Sequence, residues 1–381
     1  MYILMISRGI PTPEDPQWGC FEQDQAEALA QIGHKVVVIS VDRRFMWKYR
    51  RVGCTTLIKN GVTYLNSFIM PGKIARFFGH KFENFVKNRQ LDYLYKKSEA
   101  LLGKPDIIYS HFFFNTALGV YLKNKYNIPL VGIEHAGRFN SDILTTQTLN
   151  DAKYAYNNTN AIITVCETLR ERLKHHFNKD SYVVHNLVNP LFLKYPIVSR
   201  RDKNCITFVT TGSLIYIKGF DLIIKAASQL QDRTNIKFII IGEGEERSAL
   251  EKLIVENDLT NIVELVGRKN KNQIIEILDS ADAFILASRG ENFSVAILEA
   301  LARGLPVIAT LCGGVKECIT KENGILIPVD DVDSLSSAIK EMRNNIHRYD
   351  RASISASCNK RFSPEAIASR LTEVFEQTIN L

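Results

Sequence analysis

The sequence lacks several features that would place it outside the cytoplasm. No run approaches the ~18 consecutive apolar residues of a membrane-spanning helix. The seven cysteines are odd in number and show no paired spacing, which argues against a disulfide framework or a zinc site and for a reducing compartment. The amino-terminal MYILMISRGIP has no basic segment before its apolar residues, so we interpret it as a first strand and not as a signal peptide. These absences predict a cytoplasmic, globular protein.

Composition and length agree with a soluble protein of two domains. The 381 residues are 45% hydrophobic and 23% charged, as is usual for a globular chain, and the length is typical of two domains. The formal net charge is +7, which suggests an anionic partner without identifying it.

Strand and helix signals alternate along the chain in two series. The first series begins with YILMIS, a helix over 20–32 and KVVVIS, and ends with AIITVC at 161–166. The second begins with CITFVTTGS at 205–213 and ends near GILIPV at 324–329. Two such series predict an α/β fold with two doubly wound parallel sheets facing each other across a cleft. The domains are predicted at 1–192 and 203–363, with a linker and hinge around 190–203 and a last helical segment over 364–381 that packs back on the first domain.

The stretch GENFSVAILEALARG at 290–304 carries two carboxylates in an unusual setting. It follows a buried strand, and Ser294 can cap a helix whose apolar residues spread around its circumference. Glu299 is then a half-buried acid within that helix, while Glu291 lies in the loop at the carboxyl end of a strand, where open α/β sheets bind ligands. An i,i+4 ion pair between Glu299 and Arg303 is the alternative explanation, but it is typical of surface helices.

The second half of the chain resembles glycosyltransferase family 4, retaining transferases of the GT-B fold, which has two Rossmann-like domains. The resemblance covers nearly all of the second domain through TGSLIYIKGF, IIGEGEERSALEKL, VGRKNKNQIIEIL, the Glu291-x7-Glu299 pattern, GGVKECI and NGILIPVDD. The match of the first domain is weaker and rests on GCFEQDQAEALAQIGHKVVVIS, VGIEHAG and VVHNLVN.

The resemblance implies roles for residues of a nucleotide-sugar site. Glu299 would bind the ribose hydroxyls, Glu291 the hydroxyls of the donor sugar, and His135 of the first domain would contact the same sugar. The backbone N–H groups of Phe293, Ser294 and Val295 would bind the diphosphate, since they open a helix, and Lys218 would neutralise the leaving group. The remaining donor-side positions are Gly19, Gly212, Ser213, Gly242, Glu243, Arg268 and Asn292, and the acceptor-side positions are Trp18 and Arg138.

Three departures from the family pattern bear on this site. Ser213 stands where the family often has arginine, so we expect Arg268 or Arg289 to substitute for that cation, or the affinity to be lower. Asn292 and Ser294 stand where glycine is common, which predicts a narrower or differently polar sugar pocket. The first-domain loop reads QWGCF in place of a double glycine, so Trp18 is expected to shape the acceptor side.

No metal or cofactor is expected. The acids of DDVD at 330–333 superficially resemble the metal-binding acids of another glycosyltransferase fold, but we interpret them as the start of a helix.

The resemblance implies a retaining hexosyltransferase that uses a nucleotide-sugar donor, with UDP favoured, in the synthesis of a bacterial surface glycan or glycolipid. Two alternatives stay open: a hydrolysing nucleotide-sugar 2-epimerase of the same fold, and a binding protein with a decayed site. The acceptor would be a saccharide or a lipid-linked molecule.

Two basic and aromatic stretches lie in the first domain, RRFMWKYRR at 43–51 and KIARFFGHKFENFVKNR at 73–89. A solvated surface is one interpretation. Nucleic-acid binding is not expected, because no nucleic-acid motif accompanies the charge. The third interpretation is peripheral attachment to the anionic inner face of the plasma membrane, where tryptophan and tyrosine suit the interface.

Overall fold

The structure is a computed structural model in which the chain forms two compact units. It describes residues 1–12, 15, 18–42, 44, 53–68, 79–140, 143–197 and 205–380, with backbone only at 80 and 81. One unit comprises Met1–His185 together with Pro364–Leu381, and the other comprises Asn186–Ser363. The predicted membrane stretches at 43–51 and 73–89 and the predicted linker fall partly outside the described residues.

The first unit is built on an eight-stranded sheet in the order β3-β4-β2-β1-β5-β6-β7-β8. Every neighbouring pair is parallel except β3 and β4, which are antiparallel. The strands are β1 Tyr2–Ser7, β2 Lys35–Asp42, β3 Gly53–Lys59, β4 Val62–Phe68, β5 Ile107–His111, β6 Leu130–Glu134, β7 Ala161–Thr164 and β8 Tyr182–Val183.

Helices cover this sheet. They are Cys20–Gln31, His80–Leu102, Phe113–Tyr126, Thr146–Asn158, Glu167–Phe177 and Pro364–Ile379. Strands β1, β2 and β5 are buried along almost their whole length, as central strands covered on both faces must be. The last helix packs on Cys20–Gln31, and its Phe375 ring meets Tyr109 edge-on at 4.9 Å between centroids.

The β3–β4 hairpin is absent from the sequence-based prediction. Its strands are joined at Asn60 and Gly61, both with positive φ. Asn-Gly between alternating β-branched and polar residues is a strong hairpin signal, so this element was predictable. All seven residues of β3 are exposed, and this edge strand adds an antiparallel rim to an otherwise parallel sheet.

The second unit has a six-stranded parallel sheet in the order β11-β10-β9-β12-β13-β14. The strands are β9 Ile206–Thr211, β10 Ile236–Ile241, β11 Val263–Gly267, β12 Ala283–Leu286, β13 Val307–Thr310 and β14 Gly324–Ile327. The helices are Leu191–Lys194, Phe220–Ser228, Arg247–Glu256, Lys271–Ser280, Val295–Ala302, Val332–Asn345 and Arg351–Phe362. The two parallel-dominated α/β units confirm the predicted fold class.

The division between the units falls earlier than the predicted 192. The amide of Asn186 donates to the carbonyl of Phe293, and the N–H of Val188 donates to the carbonyl of Phe362, so this segment belongs to the second unit. Part of the predicted linker is also structured, because Leu191–Lys194 is a helix. Residues 198–204 of the linker lie outside the described part.

The acids at 330–333 begin a helix, as predicted. Asp331 is the N-cap of Val332–Asn345 and accepts bonds from the backbone N–H and the hydroxyl of Ser334 at 2.8 and 2.6 Å. All seven cysteines carry free thiols. Among the helices of the described ranges, none is long and apolar enough to cross a bilayer.

Candidate functional site

The predicted donor residues of the second unit gather at the carboxyl ends of its parallel strands. Loops after β9, β10, β12 and β13 meet there, which is the edge where such sheets bind ligands. The residues brought together along these loops fall into three groups: a lysine–glutamate pair, a helix N-terminus, and a contact between two glycine-containing turns.

Lys218 and Glu291 form an ion pair across two of these loops. The Nζ of Lys218 lies 2.5 Å from the Oε1 of Glu291, and the hydroxyl of Ser288 donates to the same oxygen at 3.0 Å. Both side chains are partly accessible, at 28% for Lys218 and 11% for Glu291. Two residues that the sequence places 73 positions apart therefore form one charged centre that a ligand can reach.

The loop that carries Glu291 rests directly on the turn after β13. Gly313 has φ +52°, and a Cβ there would lie 1.9 Å from the carbonyl oxygen of Glu291. The N–H of Gly314 donates to the carbonyl of Asn292 at 2.6 Å, and the hydroxyl of Thr310 donates to the carbonyl of Ser288 at 2.5 Å. The Glu291 loop is thus fixed by backbone contacts that leave no room for a side chain at Gly313.

The helix Val295–Ala302 begins immediately after this loop. Ser294 occupies the N-cap position, but its side chain makes no capping bond, contrary to the prediction. The first turn consequently keeps N–H groups that its N-cap hydroxyl does not satisfy, and such groups attract anions. Phe293 is 5% exposed and Asn292 8% exposed, so little of either residue is accessible.

Glu299 is half-buried within the same helix, as predicted. The neighbouring Arg303 has its five N–H donors engaged elsewhere. Two bonds reach the carboxylate of Asp279, at 2.8 and 3.0 Å, and three reach the carbonyls of Phe192, Tyr195 and Pro196. The ion pair of Arg303 is therefore formed with Asp279 and not with Glu299.

Gly212 and Gly242 lie where the turns after β9 and β10 touch. A Cβ on Gly242 would lie 1.9 Å from the carbonyl oxygen of Gly212, so the two backbones are in direct contact. Ser213 is exposed at this point. Glu243, predicted on the donor side, forms an ion pair with Arg247 at 2.8 Å, and its donor-side role stays a prediction.

The two arginines predicted to substitute at Ser213 differ in their surroundings. Arg289 is bound by Asp221 through two bonds and by Asp330 at 2.6 Å, and the bonds from Asp221 help to raise the pKa of Arg289 above its usual value. A ligand that binds Arg289 would have to compete with these two carboxylates. Arg268 is exposed directly after β11, so it remains the candidate for the cation that position 213 lacks.

His135 of the first unit lies at the carboxyl end of β6, where the preceding Glu134 organises the backbone. The buried carboxylate of Glu134 accepts from the N–H groups of Phe113, His135 and Ala136 and from the hydroxyl of Tyr156, at 2.7 to 2.9 Å. Burial raises the pKa of Glu134 in spite of these bonds. Glu134 thereby fixes the loop that presents the imidazole of His135.

A second histidine supports the first. The rings of His111 and His135 stack at 5.3 Å with an interplanar angle of 7°, and Nε2 of His135 lies 3.3 Å from Nδ1 of His111. Burial lowers the pKa of His111 to about 3, so it is neutral at physiological pH. His135 is therefore held by an uncharged partner.

Trp18 and Gly19 lie at the start of helix Cys20–Gln31, beside Arg8. The indole N–H of Trp18 donates to the carbonyl of Arg8 at 3.0 Å, and a Cβ on Gly19 would lie 2.2 Å from the carbonyl oxygen of Gly9. Arg8 is paired with buried Glu22 at 2.6 Å. Burial alone would raise the pKa of Glu22, but Arg8 outweighs it and the pKa is lowered.

Arg138 is exposed, with its guanidinium 5.5 Å from the centroid of Phe113.

Sequence reasoning missed the residues that hold the site in place. Glu134, Gly313 and Gly314 stand in EHAG and GGVKECI, motifs that carried the resemblance, so their positions were visible but their roles were not. The Asp221–Arg289 clamp joins residues 68 positions apart, and a single sequence carries no signal for such a pair.

Solved structures share this architecture over the whole chain. Sucrose-phosphate synthase of Thermosynechococcus elongatus superposes with a TM-score of 0.78, covering 100% of this chain and 99% of that chain at 18% identity. Anabaena Alr3699/HepE in complex with UDP-glucose superposes at 0.74, covering 99% of this chain and 100% of that chain at 17% identity. Two Rossmann-like units of this kind define the GT-B fold.

Sequence comparison then gives the family. The model of Glycosyltransferase Family 4 matches residues 23–190, and the model of Glycosyl transferases group 1 matches residues 194–357. An uncharacterized glycosyltransferase of Methanocaldococcus jannaschii is 29% identical over 310 residues, 78% of this chain and 84% of that protein. The gpi3 subunit of phosphatidylinositol N-acetylglucosaminyltransferase from Schizosaccharomyces pombe is 26% identical over 92% of this chain and 75% of its own length. The two models together match most of the chain, and the chain belongs to the glycosyltransferases that they describe.

Gly313→Ala should impair sugar transfer, because an added methyl group would strike the Glu291 carbonyl at a backbone conformation that disfavours side chains. Displacing the Glu291 loop by even ~1 Å should lower kcat by about 100-fold. The control is Gly290→Ala, whose methyl would meet only the end of Ile217 at 3.2 Å. Turnover with the preferred donor measures both variants, and equal activities would show that the Gly313 contact does not position Glu291.

Proposed function

We propose that this protein is a retaining, metal-independent glycosyltransferase that transfers a sugar from a UDP-sugar to a hydroxyl of a saccharide or lipid-linked acceptor. The observation that carries the proposal is the ion pair of Lys218 with Glu291 beside the helix that contains Glu299. A cation, an uncapped helix N-terminus and two carboxylates are the groups that a diphosphate, a sugar and a ribose require.

The comparisons support the donor and acceptor classes. A structural neighbour was solved with UDP-glucose, which supports a UDP-sugar donor. The relative from Schizosaccharomyces pombe is named for a phosphatidylinositol N-acetylglucosaminyltransferase, which supports a glycolipid acceptor. We assign the reaction to the assembly of a surface glycan or glycolipid at the cytoplasmic side of the membrane.

The site residues of the second unit have separate roles in the proposed reaction. The first-turn N–H groups of Val295–Ala302 hold the diphosphate, and Lys218 compensates the charge that grows on it as the bond to C1 breaks. Glu291 accepts hydrogen bonds from the donor sugar, and Glu299 accepts them from the ribose. Because Lys218 and the helix supply positive charge, the leaving group needs no metal ion.

His135 is assigned to the donor sugar, as the family resemblance implies. The acceptor hydroxyl attacks C1 on the face from which the diphosphate departs and passes its proton to a departing diphosphate oxygen, so the configuration at C1 is retained. Ser213 contributes a hydroxyl in place of a cation, which leaves Lys218 and Arg268 as the cations that face the diphosphate.

A donor screen tests the proposal directly. A UDP-sugar at 100 times its Kd should stabilise the protein by ~2.7 kcal/mol in a thermal shift measurement. Transfer is then scored by mass spectrometry with EDTA present, and NMR gives the configuration at C1. An isomerised hexosamine formed from the donor alone would point to a 2-epimerase, and no nucleotide affinity at all would point to a binding protein with a decayed site.

Substitution of Glu299 and of Glu291 should affect different kinetic and binding constants. Glu299→Gln should raise the Kd for UDP, because ribose contacts are alike in the ground and transition states. Glu291→Gln should lower kcat more than affinity, because it misplaces the sugar as charge develops at C1. Calorimetry with UDP and steady-state kinetics separate the two effects, with exposed Glu341→Gln as the control. An unchanged Kd for UDP in Glu299→Gln would refute the ribose assignment.

Lys218 should matter more than it would in a site with arginine at position 213, because Ser213 offers no cation there. Lys218→Ala should cost at least ~2 kcal/mol in kcat/KM, the scale of one lost charge-stabilising donor. Lys218→Arg keeps the charge beside Glu291 and should lose less, and Ser213→Arg should maintain or improve UDP affinity. Near-normal turnover of Lys218→Ala would instead assign the charge compensation to Arg268.

Membrane attachment through the first unit is a further part of this proposal. In the described part of the second basic stretch, Phe82 and Phe85 are 46% and 59% exposed on one helix. Arg44 is paired with Asp15 and Asp42 and is left out of the test.

Arg43, Lys48, Arg50 and Arg51 replaced by glutamine should abolish sedimentation with anionic vesicles, at ~1 kcal/mol for each cation near the surface. Added salt should weaken binding of the unmodified protein. The matched control replaces four exposed lysines of the second unit, Lys237, Lys252, Lys340 and Lys360. If the unmodified protein does not sediment with such vesicles at low salt, the basic stretch is a solvated surface and the acceptor is a soluble molecule.

A further inference from the structure

The turn that carries Lys218 and the loop that carries Glu291 come from distant parts of the chain. Lys218 ends the short 3₁₀ turn Tyr216–Lys218 after β9, and Glu291 follows β12, 73 positions later. The 2.5 Å between Nζ of Lys218 and Oε1 of Glu291 therefore depends on contacts that dock the turn against the segment before Glu291. One such contact joins two backbones, since a Cβ on Gly219 would lie 2.0 Å from the carbonyl oxygen of Ala287.

Arg289 binds the same turn through three contacts. Its backbone N–H donates to the carbonyl of Ile217 at 2.8 Å, and its Nη1 donates to the carbonyl of Tyr216 at 2.7 Å. Its guanidinium also lies 3.9 Å from the centroid of the Tyr216 ring. The two residues directly before Lys218 are thus held by a residue that stands two positions before Glu291.

The guanidinium of Arg289 is itself held by two carboxylates. Asp221 accepts from Nη1 and Nη2 at 2.8 and 2.9 Å, and Asp330 accepts from Nε at 2.6 Å. Asp221 lies in the first turn of the helix Phe220–Ser228, so Arg289 is bound to residues on both sides of Lys218 in the sequence. A forked pair of bonds to one carboxylate fixes the plane of the guanidinium as well as its position. With its side chain only 11% exposed, Arg289 is better placed to hold the turn than to bind a ligand.

We propose that Arg289 is the positioning residue for Lys218: it holds the turn Tyr216–Lys218 where the ammonium reaches Glu291 and, in the reaction, the departing diphosphate. The role in the reaction rests on the proposed transferase function, whereas the positioning of Lys218 beside Glu291 rests on the geometry alone. Arg289 acts through Lys218 and makes no bond to the donor. The competing explanation, that Arg289 gives the donor a cation in place of Ser213, is separated by the experiments.

Zero-length cross-linking of the full-length protein tests the positioning without any substrate. A carbodiimide joins an ammonium to a carboxylate when the two are in contact, so an isopeptide between Lys218 and Glu291 should form in the unmodified protein. Mass spectrometry of the digested protein measures its yield. Arg289→Met should lower the yield by about fivefold, the effect of one lost hydrogen bond on a local equilibrium.

Arg343→Met is the matched control. Arg343 of helix Val332–Asn345 likewise donates to a carboxylate, that of Asp232, and to two carbonyls, but it binds the segment before β10, at the amino end of that strand. Its replacement should leave the cross-link between Lys218 and Glu291 unchanged. Melting temperatures show that each variant is folded.

Arg289→Lys separates charge from geometry and serves as a second variant if Arg289→Met does not fold. Lysine keeps the positive charge between the two carboxylates. Its single ammonium does not reproduce the fork that binds Asp221, Asp330 and the Tyr216 carbonyl at once. The cross-link should therefore decrease in Arg289→Lys as well.

A double-mutant cycle tests the role in sugar transfer. Arg289→Met should lower kcat/KM by about tenfold, less than Lys218→Ala does, because Lys218 keeps its charge but loses its position. In the Lys218→Ala background, Arg289→Met should cause no further loss, since a residue that acts only through Lys218 then has nothing to position.

The proposal is overturned if the unmodified protein forms no such cross-link, if the yield is unchanged in the Arg289 variants, or if lysine restores it in full. It is also overturned if the losses from Arg289→Met and Lys218→Ala multiply, which would make Arg289 a cation bound to the donor. Cross-links that change as expected in a protein that transfers no sugar would overturn the transferase function and support the positioning of Lys218.

Discussion

A fully buried guanidinium is the interaction on which the candidate site of the second unit depends. Arg303 ends the helix Val295–Ala302 and uses all five of its N–H donors, on the carboxylate of Asp279 and on three carbonyls of 192–196. A charge buried so completely is tolerated only with partners of this quality. It fixes one end of the helix, so the other end, with its N–H groups, and Glu299 between them have set positions.

Charge is organised on opposite principles in the two units. In the second unit, the Lys218–Glu291 pair is partly accessible and can be rearranged by a ligand with its own charge. In the first unit, Glu134 is buried and holds backbone N–H groups, while neutral His111 holds His135. In the proposed reaction, the first arrangement suits the departure of a charged group, and the second suits the placement of a neutral sugar.

Apart from the β3–β4 hairpin, the sequence was sufficient for the two-unit architecture and for the position of the Glu291 loop, because hydrophobic strands and glycines mark both. It predicted the strand series from β9 to β14 and the half-buried setting of Glu299. It did not predict that Ser294 leaves its helix uncapped, since the side-chain rotamer is decided by packing and not by residue type. The clamp on Arg289 was equally out of reach, because Asp221 and Asp330 approach it only after the chain has folded.

The distribution of the chain between the units has a consequence for synthesis on the ribosome. The second unit is continuous from Asn186 to Ser363, whereas the first is completed only by Pro364–Leu381. Domains generally fold as their residues emerge. Here the unit that starts first must wait, with the face of helix Cys20–Gln31 uncovered, until the helix Pro364–Ile379 has been made. The second unit, although its synthesis begins later, can fold first. Until the last helix has been synthesised, the uncovered surface of the first unit is exposed to aggregation.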